Sequence, residues 1–118
     1  MIRPKRGDIY LVNFDPTLGA EIRITRPALI LQNDIGNKFS PVTIVAAISS
    51  KFDEPLYPTE VLISAKALTG LAIDSVVLIN QIRTVDKKRL VKQLGTLSAA
   101  KMEEVNQALR ISLALVPL

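Results

Sequence analysis

Short apolar segments separated by turn residues run through most of this chain, and this alternation constrains the fold most strongly. Strands are predicted where β-branched, aliphatic and aromatic residues are bounded by Gly, Pro, Asn or Asp. The predicted strands cover 9–14, 28–31, 42–48, 60–63 and 75–84, with a last short strand at 94–97. Many strands at short spacing favour a mainly β fold with helices (α+β), a small and mostly antiparallel β-barrel.

The end of the chain has the pattern of an amphipathic helix. Ser98 is suited to accept a hydrogen bond from the first helical turn as the N-cap. Apolar residues then recur at spacings of three and four, at Met102, Val105, Leu109 and Leu113. We expect this stripe to pack on the barrel, either capping it or covering its side.

The remaining segments are predicted to be connections. Residues 17–25 have no clean period, and 51–58 hold three charges and two prolines, so both are predicted loops. Residues 33–37 combine Asn, Asp and Gly, which is typical of a turn. A small turn is expected around Gly70, and 86–90 is long enough for one helical turn only.

The chain contains no cysteine and no histidine, which excludes many kinds of active site. Disulfides, thiol nucleophiles, Cys/His zinc sites and every triad with a histidine base are ruled out. An enzyme of this composition must work with Arg, Lys, Ser, Thr, Tyr and carboxylates. Since no carboxylate cluster stands out, we expect no metal and no cofactor.

The 118 residues predict a single domain, 1–118, and 48% of them are hydrophobic, enough for one core. The longest uncharged run, 39–50, has 12 residues, fewer than a bilayer-spanning helix needs. The basic N-terminus lacks the apolar segment of a secretion signal, so a cytoplasmic location without a membrane partner is expected. The net charge of +4 favours anionic partners.

Several polar residues could serve chemistry, although each has an ordinary structural interpretation. Arg26 precedes Pro27 at the start of a strand, where arginines are usually solvated but can also bind phosphate with a planar fork of donors. Ser49 ends a strand, as many turn-forming serines do. Glu21 lies in a predicted loop, and the basic residues within 83–92 are more often a solvated face than a nucleic-acid contact.

The order of several short motifs is more specific than any one of these residues. The motifs are R-G-D-I-Y from Arg6, F-D-P from Phe14, G-A-E from Gly19, R-P-A-L-I-L-Q-N-D from Arg26 and Q-I-R-T-V-D from Gln81. In this arrangement the chain strongly resembles the MazF/PemK family of toxin endoribonucleases, from about Lys5 to its end.

The resemblance implies an SH3-like β-barrel, a homodimer, and sequence-specific, metal-independent cleavage of single-stranded RNA without a cofactor. It assigns the catalytic arginine to Arg26, the catalytic hydroxyl to Ser49 and a loop glutamate to Glu21. The expected products carry a 2′,3′-cyclic phosphate and a 5′-OH. A cognate antitoxin is also implied, with operator DNA bound only by the complex of the two proteins.

This chain departs from the family pattern at two places. The loop before Arg26 is usually built from small residues, whereas here it contains Ile22, Arg23 and Ile24, which makes Arg23 a second candidate for contact with phosphate. The family's hydroxyl residue is usually threonine, and Ser49 lacks the methyl group that restricts χ1. We expect looser positioning of the hydroxyl with its chemistry retained.

Other RNA contacts are expected from polar side chains at predicted strand ends or in loops, namely Asn33, Asn37, Lys51, Tyr57 and Gln81. Two alternatives stay open: a toxin similar to CcdB that binds DNA gyrase, and a barrel that binds nucleic acid without cutting it. The gyrase-binding family relies on a tryptophan in its C-terminal tail, and this chain has no tryptophan.

Overall fold

A computed structural model describes residues 2–14 and 25–117. Its strands are β1 (Asp8–Asn13), β2 (Thr25–Ile30), β3 (Val42–Ser49), β4 (Glu60–Ile63), β5 (Ser75–Asp86) and β6 (Leu90–Thr96). Its helices are α1 (Asp34–Phe39) and α2 (Ala99–Ser112), and a single 3-10 turn (Lys87–Arg89) joins β5 to β6. The first five predicted strands and the single helical turn at 86–90 are confirmed. The loop predicted at 17–25 lies outside the described residues, apart from Thr25, which begins β2.

The six strands form one antiparallel sheet in the order β4-β5-β3-β2-β1-β6. The long strand β5 changes register against β3 between Ala46 and Ala47, and such an irregularity bends a sheet. The edge strands β4 and β6 do not pair, but the segment after β4 reaches β6, where the Thr96 N–H donates to the Leu68 carbonyl at 2.9 Å. The predicted fold class is therefore confirmed, with a loop rather than a strand ladder bridging the two edges.

The central strands are buried on both faces because their apolar residues alternate between two clusters. One cluster lies between the sheet and α2 and includes Ile9, Leu29, Ala46, Ile79 and Val105. The other lies on the opposite face and consists of Tyr10, Val12, Ala28, Ile30, Val45, Val85 and Leu90. This two-sided burial explains why residues 28–31 form a continuous apolar run instead of an alternating one.

The C-terminal helix begins as predicted, since the Ser98 hydroxyl accepts from the Lys101 N–H at 3.2 Å. Val105 and Ala108 are its buried residues. The prediction was wrong for Leu113, which is 56% exposed. The helix ends at Ser112 and Ala114 turns the chain with a φ of 55°, so the apolar stripe stops before Leu113. Within the described residues, no helix is long and apolar enough to cross a membrane.

The turn predicted at 33–37 is wrong, because these residues begin helix α1. The Asn33 side chain accepts from the Gly36 N–H at 2.8 Å and acts as the N-cap. Asn, Asp and Gly favour turns and helix starts through the same local hydrogen bonds, so composition alone does not separate the two. The last strand also differs, since β6 starts at Leu90, directly after the 3-10 turn, and not at Leu94.

Candidate active site

Arg26 and Ser49, two of the three predicted catalytic residues, line one cavity of about 260 Å³, while the third, Glu21, lies outside the described residues. Arg26 is near the start of β2 and Ser49 is the last residue of β3. The two strands pair with Ala28 opposite Ala47, and Arg26 and Ser49 each lie two residues beyond this pair, at the same end of the two strands. Because both residues line the same cavity, both side chains can reach one bound group.

The Ser49 hydroxyl is held by a local turn. It accepts from the Lys51 N–H at 3.1 Å and donates to the Lys51 carbonyl at 3.3 Å. The Lys51 side chain lines the same cavity, so it adds a second cation beside Arg26. Of the residues predicted to contact RNA, Lys51 is the one described residue that the structure brings to this cavity.

Arg26 is exposed, and no hydrogen bond or ion pair joins its side chain to another residue in the described part of the chain. Among the described residues, therefore, none occupies the N–H donors of its guanidinium, which is the group that can bind an anion. No Asp or Glu of the described ranges lines the cavity, which leaves its positive charge without a carboxylate there. Such a site suits a phosphate, because a guanidinium and a hydroxyl both donate to anionic oxygens.

A second wall of the cavity comes from the segment that precedes β5. It contributes Leu71, Ala72 and Ile73. The lining is completed by Pro27, Ile48, Ser50 and Ser75, the first residue of β5. Sequence reasoning missed this wall, because its apolar residues follow the predicted turn at Gly70 without any motif. That turn is confirmed, with Gly70 at a φ of 69°.

Asn37 has an interior role in the structure. It is 3% exposed, its Nδ2 donates to the Gln32 carbonyl at 2.8 Å, and its Oδ1 accepts from the Thr43 hydroxyl at 2.7 Å. These hydrogen bonds attach α1 to β3. Asn33 is occupied as the cap of the same helix, so the structure does not bring either asparagine to Arg26.

The other predicted RNA contacts lie elsewhere. Tyr57 is 74% exposed in the connection before β4, and Gln81 is exposed on β5. Neither lines the Arg26 cavity. Glu21 and Arg23 lie outside the described residues.

A larger cavity of about 830 Å³ lies at the opposite end of β2, between residues 2–5, α1 and the 3-10 turn. Its lining includes the basic residues Arg3, Lys5, Lys38, Lys87 and Lys88. No serine or threonine of the described residues lines it. Of these two cavities, the smaller one therefore holds the guanidinium and hydroxyl pair.

Two carboxyl groups with shifted pKa values, Asp8 and Asp34, lie near this opposite end. Burial raises the pKa of Asp8, at the start of β1, above its ordinary value. The pKa of Asp34 is lowered, mainly because its carboxylate accepts from the Arg6 N–H at 2.7 Å. Among residues 2–14 and 25–117, no three His, Cys, Asp or Glu side chains form a group suited to a metal ion.

Comparison with known proteins points to one group of toxins. Of the solved structures, MazE-MazF (Form-II) from Deinococcus radiodurans matches with 28% identity and a TM-score of 0.79, over 98% of this chain and 100% of the other. An endoribonuclease in complex with its cognate antitoxin, from Mycobacterial species, matches with 26% identity and a TM-score of 0.77, over 96% of this chain and 97% of the other. These matches place the fold among MazF-like toxins.

The sequence comparisons narrow this class to a family. The family model described as PemK-like, MazF-like toxin of type II toxin-antitoxin system matches residues 5–113. Endoribonuclease EndoA of Bacillus subtilis (strain 168) is 48% identical over 112 residues, covering 95% of this chain and 96% of that protein. The chain belongs to the PemK-like, MazF-like toxin family of type II toxin-antitoxin systems.

Proposed function

We propose that this protein is a sequence-specific endoribonuclease that cuts single-stranded RNA, acting as the toxin of a toxin-antitoxin pair. The observation that carries the proposal is the shared cavity of Arg26 and Ser49, open to solvent and lined by Lys51. The family and the 48% identity to a protein named endoribonuclease support it.

RNA supplies its own nucleophile, so the protein needs none. The 2′-oxygen attacks the adjacent phosphorus while the bond from phosphorus to the 5′-oxygen breaks. A base removes the proton from the 2′-hydroxyl and later releases it to water, and the departing 5′-oxygen takes up a proton from water. The products carry a 2′,3′-cyclic phosphate and a 5′-OH, and no step requires a cysteine or a histidine.

Arg26 acts by stabilising charge. Negative charge grows on the phosphorane oxygens during attack, and a preorganised donor aimed at them has its largest effect in that state. Arginine is a poor acid or base at neutral pH because its guanidinium stays protonated. The Ser49 hydroxyl remains held by the Lys51 N–H and turns its hydrogen from the Lys51 carbonyl to a non-bridging oxygen.

Glu21 is a candidate for the general base, whose identity is left open. A carboxylate is better suited than a guanidinium to take the 2′-hydroxyl proton, provided that it comes within hydrogen-bond reach. The cavity has no carboxylate among its described residues, and Glu21 is the family's loop glutamate by position. Lys51 contacts a flanking phosphate, while Arg23, Tyr57 and Gln81 remain predicted RNA contacts.

The biological setting follows from the family. The protein acts as a homodimer in the cytoplasm and is bound by a cognate antitoxin. The solved complex of an endoribonuclease with its cognate antitoxin supports this partner. Operator DNA is bound only by the toxin-antitoxin complex.

The experiment that tests this function combines a chelator with an altered substrate. Purified protein is incubated with a long single-stranded RNA in excess EDTA, and the cut sites and end groups are mapped. We expect discrete cuts with 2′,3′-cyclic phosphate ends, and no cut at a site where the 2′-hydroxyl is replaced by hydrogen. The Arg26→Ala protein, purified in the same way, controls for contaminating nucleases and should leave the RNA intact.

Each other outcome supports a different interpretation. Cleavage that stops on chelation would contradict the metal-independent mechanism. Intact RNA together with inhibited DNA gyrase would favour the CcdB-like alternative. Binding of RNA without any cut would favour the non-catalytic barrel.

A further inference from the structure

The second wall of the cavity belongs to a loop, residues 64–74, that joins β4 to β5. Leu71, Ala72 and Ile73 line the cavity that also holds Arg26 and Ser49. Ile73 is 58% exposed and Ala72 is exposed, so the wall presents apolar groups at an open rim. An apolar rim beside a cationic cavity is suited to the sugar or base of a nucleotide whose phosphate sits at the cations.

Thr69 holds this loop from inside. The residue is 1% exposed, and its hydroxyl donates to the Ser64 carbonyl at 2.9 Å, with the Lys66 carbonyl at 3.1 Å. The same oxygen accepts from the N–H groups of Lys66 at 3.3 Å and Leu71 at 3.4 Å. One buried hydroxyl therefore connects the start of the loop to the first residue of the wall.

Asp74 holds the other side of the wall. Its carboxylate accepts from the Ala65 N–H at 2.7 Å, which connects the end of the loop to its start. The side chain is exposed, so its removal should leave the core intact.

The loop also lies backbone to backbone against β6. A Cβ at Gly70 would stand 1.9 Å from the Leu94 carbonyl oxygen, and a Cβ at Gly95 would stand 2.2 Å from that of Leu68. Only glycine permits so close an approach, and Gly70 has in addition a positive φ. The loop is thus fixed to the sheet on one side and by its own polar groups on the other.

We propose that Thr69 and Asp74 are positioning residues for RNA cleavage. They hold the wall of residues 71–73 in place, and the wall orients the nucleotide at the scissile phosphate for in-line attack. This inference rests on the proposed endoribonuclease function and extends it to residues that do not contact the reacting atoms. The effect should be large for so remote a group, because a displacement of about 1 Å can cost about 100-fold in rate.

Two variants of Thr69 separate the hydroxyl from the shape of the side chain. Thr69→Val keeps the shape and removes the hydroxyl, whereas Thr69→Ser keeps the hydroxyl. Asp74→Ala removes the carboxylate that accepts from the Ala65 N–H and connects the two ends of the loop. Thr43→Val is the matched control, because Thr43 is a buried threonine whose hydroxyl donates to Asn37 at 2.7 Å, near α1 and outside the lining of the Arg26 cavity.

The substrate is an oligonucleotide centred on a site that the wild-type protein cuts, together with versions in which one base beside the cut is changed. The measurements are kcat, KM, the ratio of rates between these oligonucleotides, and the thermal midpoint of each variant. We expect Thr69→Val and Asp74→Ala to lower kcat about tenfold with little change in KM, and to reduce the preference between bases. Thr69→Ser should retain both the wild-type kcat and the wild-type base preference. Thr43→Val should lower the thermal midpoint without changing kcat.

Unchanged kcat and base preference in Thr69→Val and Asp74→Ala would overturn the inference. So would a loss of rate that Thr43→Val shares in proportion to its lower midpoint, since that would be a stability effect alone. If Thr69→Val does not fold, Asp74→Ala decides the question. A wild-type protein that cuts no RNA overturns the proposed function itself, and this inference with it.

Discussion

The two ends of strands β2 and β3 use polar side chains in opposite ways. At the α1 end, Asn37 bonds to Gln32 and Thr43, and its carbonyl accepts from the Lys87 ammonium group. At the other end, the Arg26 side chain has no hydrogen bond or ion pair within the described residues, and among them the Ser49 hydroxyl bonds only to the backbone of Lys51. The same two strands thus carry a closed polar network at one end and an open donor pair at the other.

The difference shows which polar groups stabilise the fold and which can bind a ligand. A buried polar group whose hydrogen bonds are satisfied inside the protein contributes to stability and is costly to disturb. A donor left at an open cavity can exchange water for an anion. Shifted pKa values often mark active sites, yet here Asp8 and Asp34 lie toward the α1 end, where burial and backbone donors shift them.

The largest expected effect is a difference in cleavage rate between variants of two arginines, one at each end of the strands. Arg26→Ala should lower the single-turnover rate of RNA cleavage by about 10²–10³-fold, the typical loss for a donor that stabilises developing negative charge. Arg3→Ala, at the exposed rim of the larger cavity, should leave the rate unchanged. Equal losses in both variants would show that general positive charge, and not the Arg26 site, drives cleavage.

Disrupting the closed polar network around Asn37 should lower the stability of the protein and leave the cleavage rate unchanged. Asn37→Ala removes the acceptor of the buried Thr43 hydroxyl and the side-chain donor to the Gln32 carbonyl, and an unsatisfied buried group costs about 1–3 kcal/mol. We expect the free energy of unfolding in urea to fall by about 2–3 kcal/mol, with the cleavage rate per folded molecule retained. A stable variant that no longer cuts RNA would instead identify Asn37 as an RNA contact.

Substitutions of Ser49 measure how much its hydroxyl contributes to the rate of RNA cleavage. Ser49→Ala should lower the cleavage rate about tenfold, which corresponds to a loss of about 1.4 kcal/mol of transition-state stabilisation. Ser49→Thr keeps the hydroxyl and restricts χ1, so its rate should equal or exceed that of the wild type. Equal rates for the alanine variant and the wild type would remove Ser49 from the mechanism.

The smallest expected effect concerns Asp34 and its dependence on pH. The folded state lowers the pKa of Asp34, so the charged carboxylate stabilises the fold above its ordinary value of 3.8, and this contribution is lost as the pH falls through the lowered value. Asp34→Asn should be less stable than the wild type at pH 7 by less than about 1 kcal/mol, because solvent screens an exposed group. In urea titrations below pH 4, the difference in unfolding free energy between the wild type and Asp34→Asn should become smaller. A difference that does not change with pH would show that the variant loses stability through altered hydrogen-bond geometry and not through the lost charge.

Most secondary structure could be predicted from local patterns. The strand at 60–63 and the helix cap at Ser98 agree with the structure, because bounding turn residues and apolar spacing act over a few residues. Helix α1 was not predicted, since Asn33 and Gly36 favour a turn or a helix start equally. The burial of Asn37 was missed for a related reason: its partner Thr43 belongs to the next strand.

The candidate site was predictable only in part. Arg26 and Ser49 were identified from the resemblance in motif order, and the pairing of β2 with β3 accounts for their shared cavity. The wall at 71–73 carries no motif. It reaches the cavity through the contact of its loop with β6 and through the hydroxyl of Thr69.

The sequence by itself determined where strands and helix α2 form and which chemistry is available. A chain without cysteine and histidine must rely on cations, hydroxyls and carboxylates, whatever its fold. The tertiary structure decided which of these groups meet: Arg26 with Ser49 in an open cavity, and Asn37 with Thr43 in the interior. The physical reason is range, because propensity and capping act between near neighbours, whereas strand pairing and loop packing bring together residues that are distant along the chain.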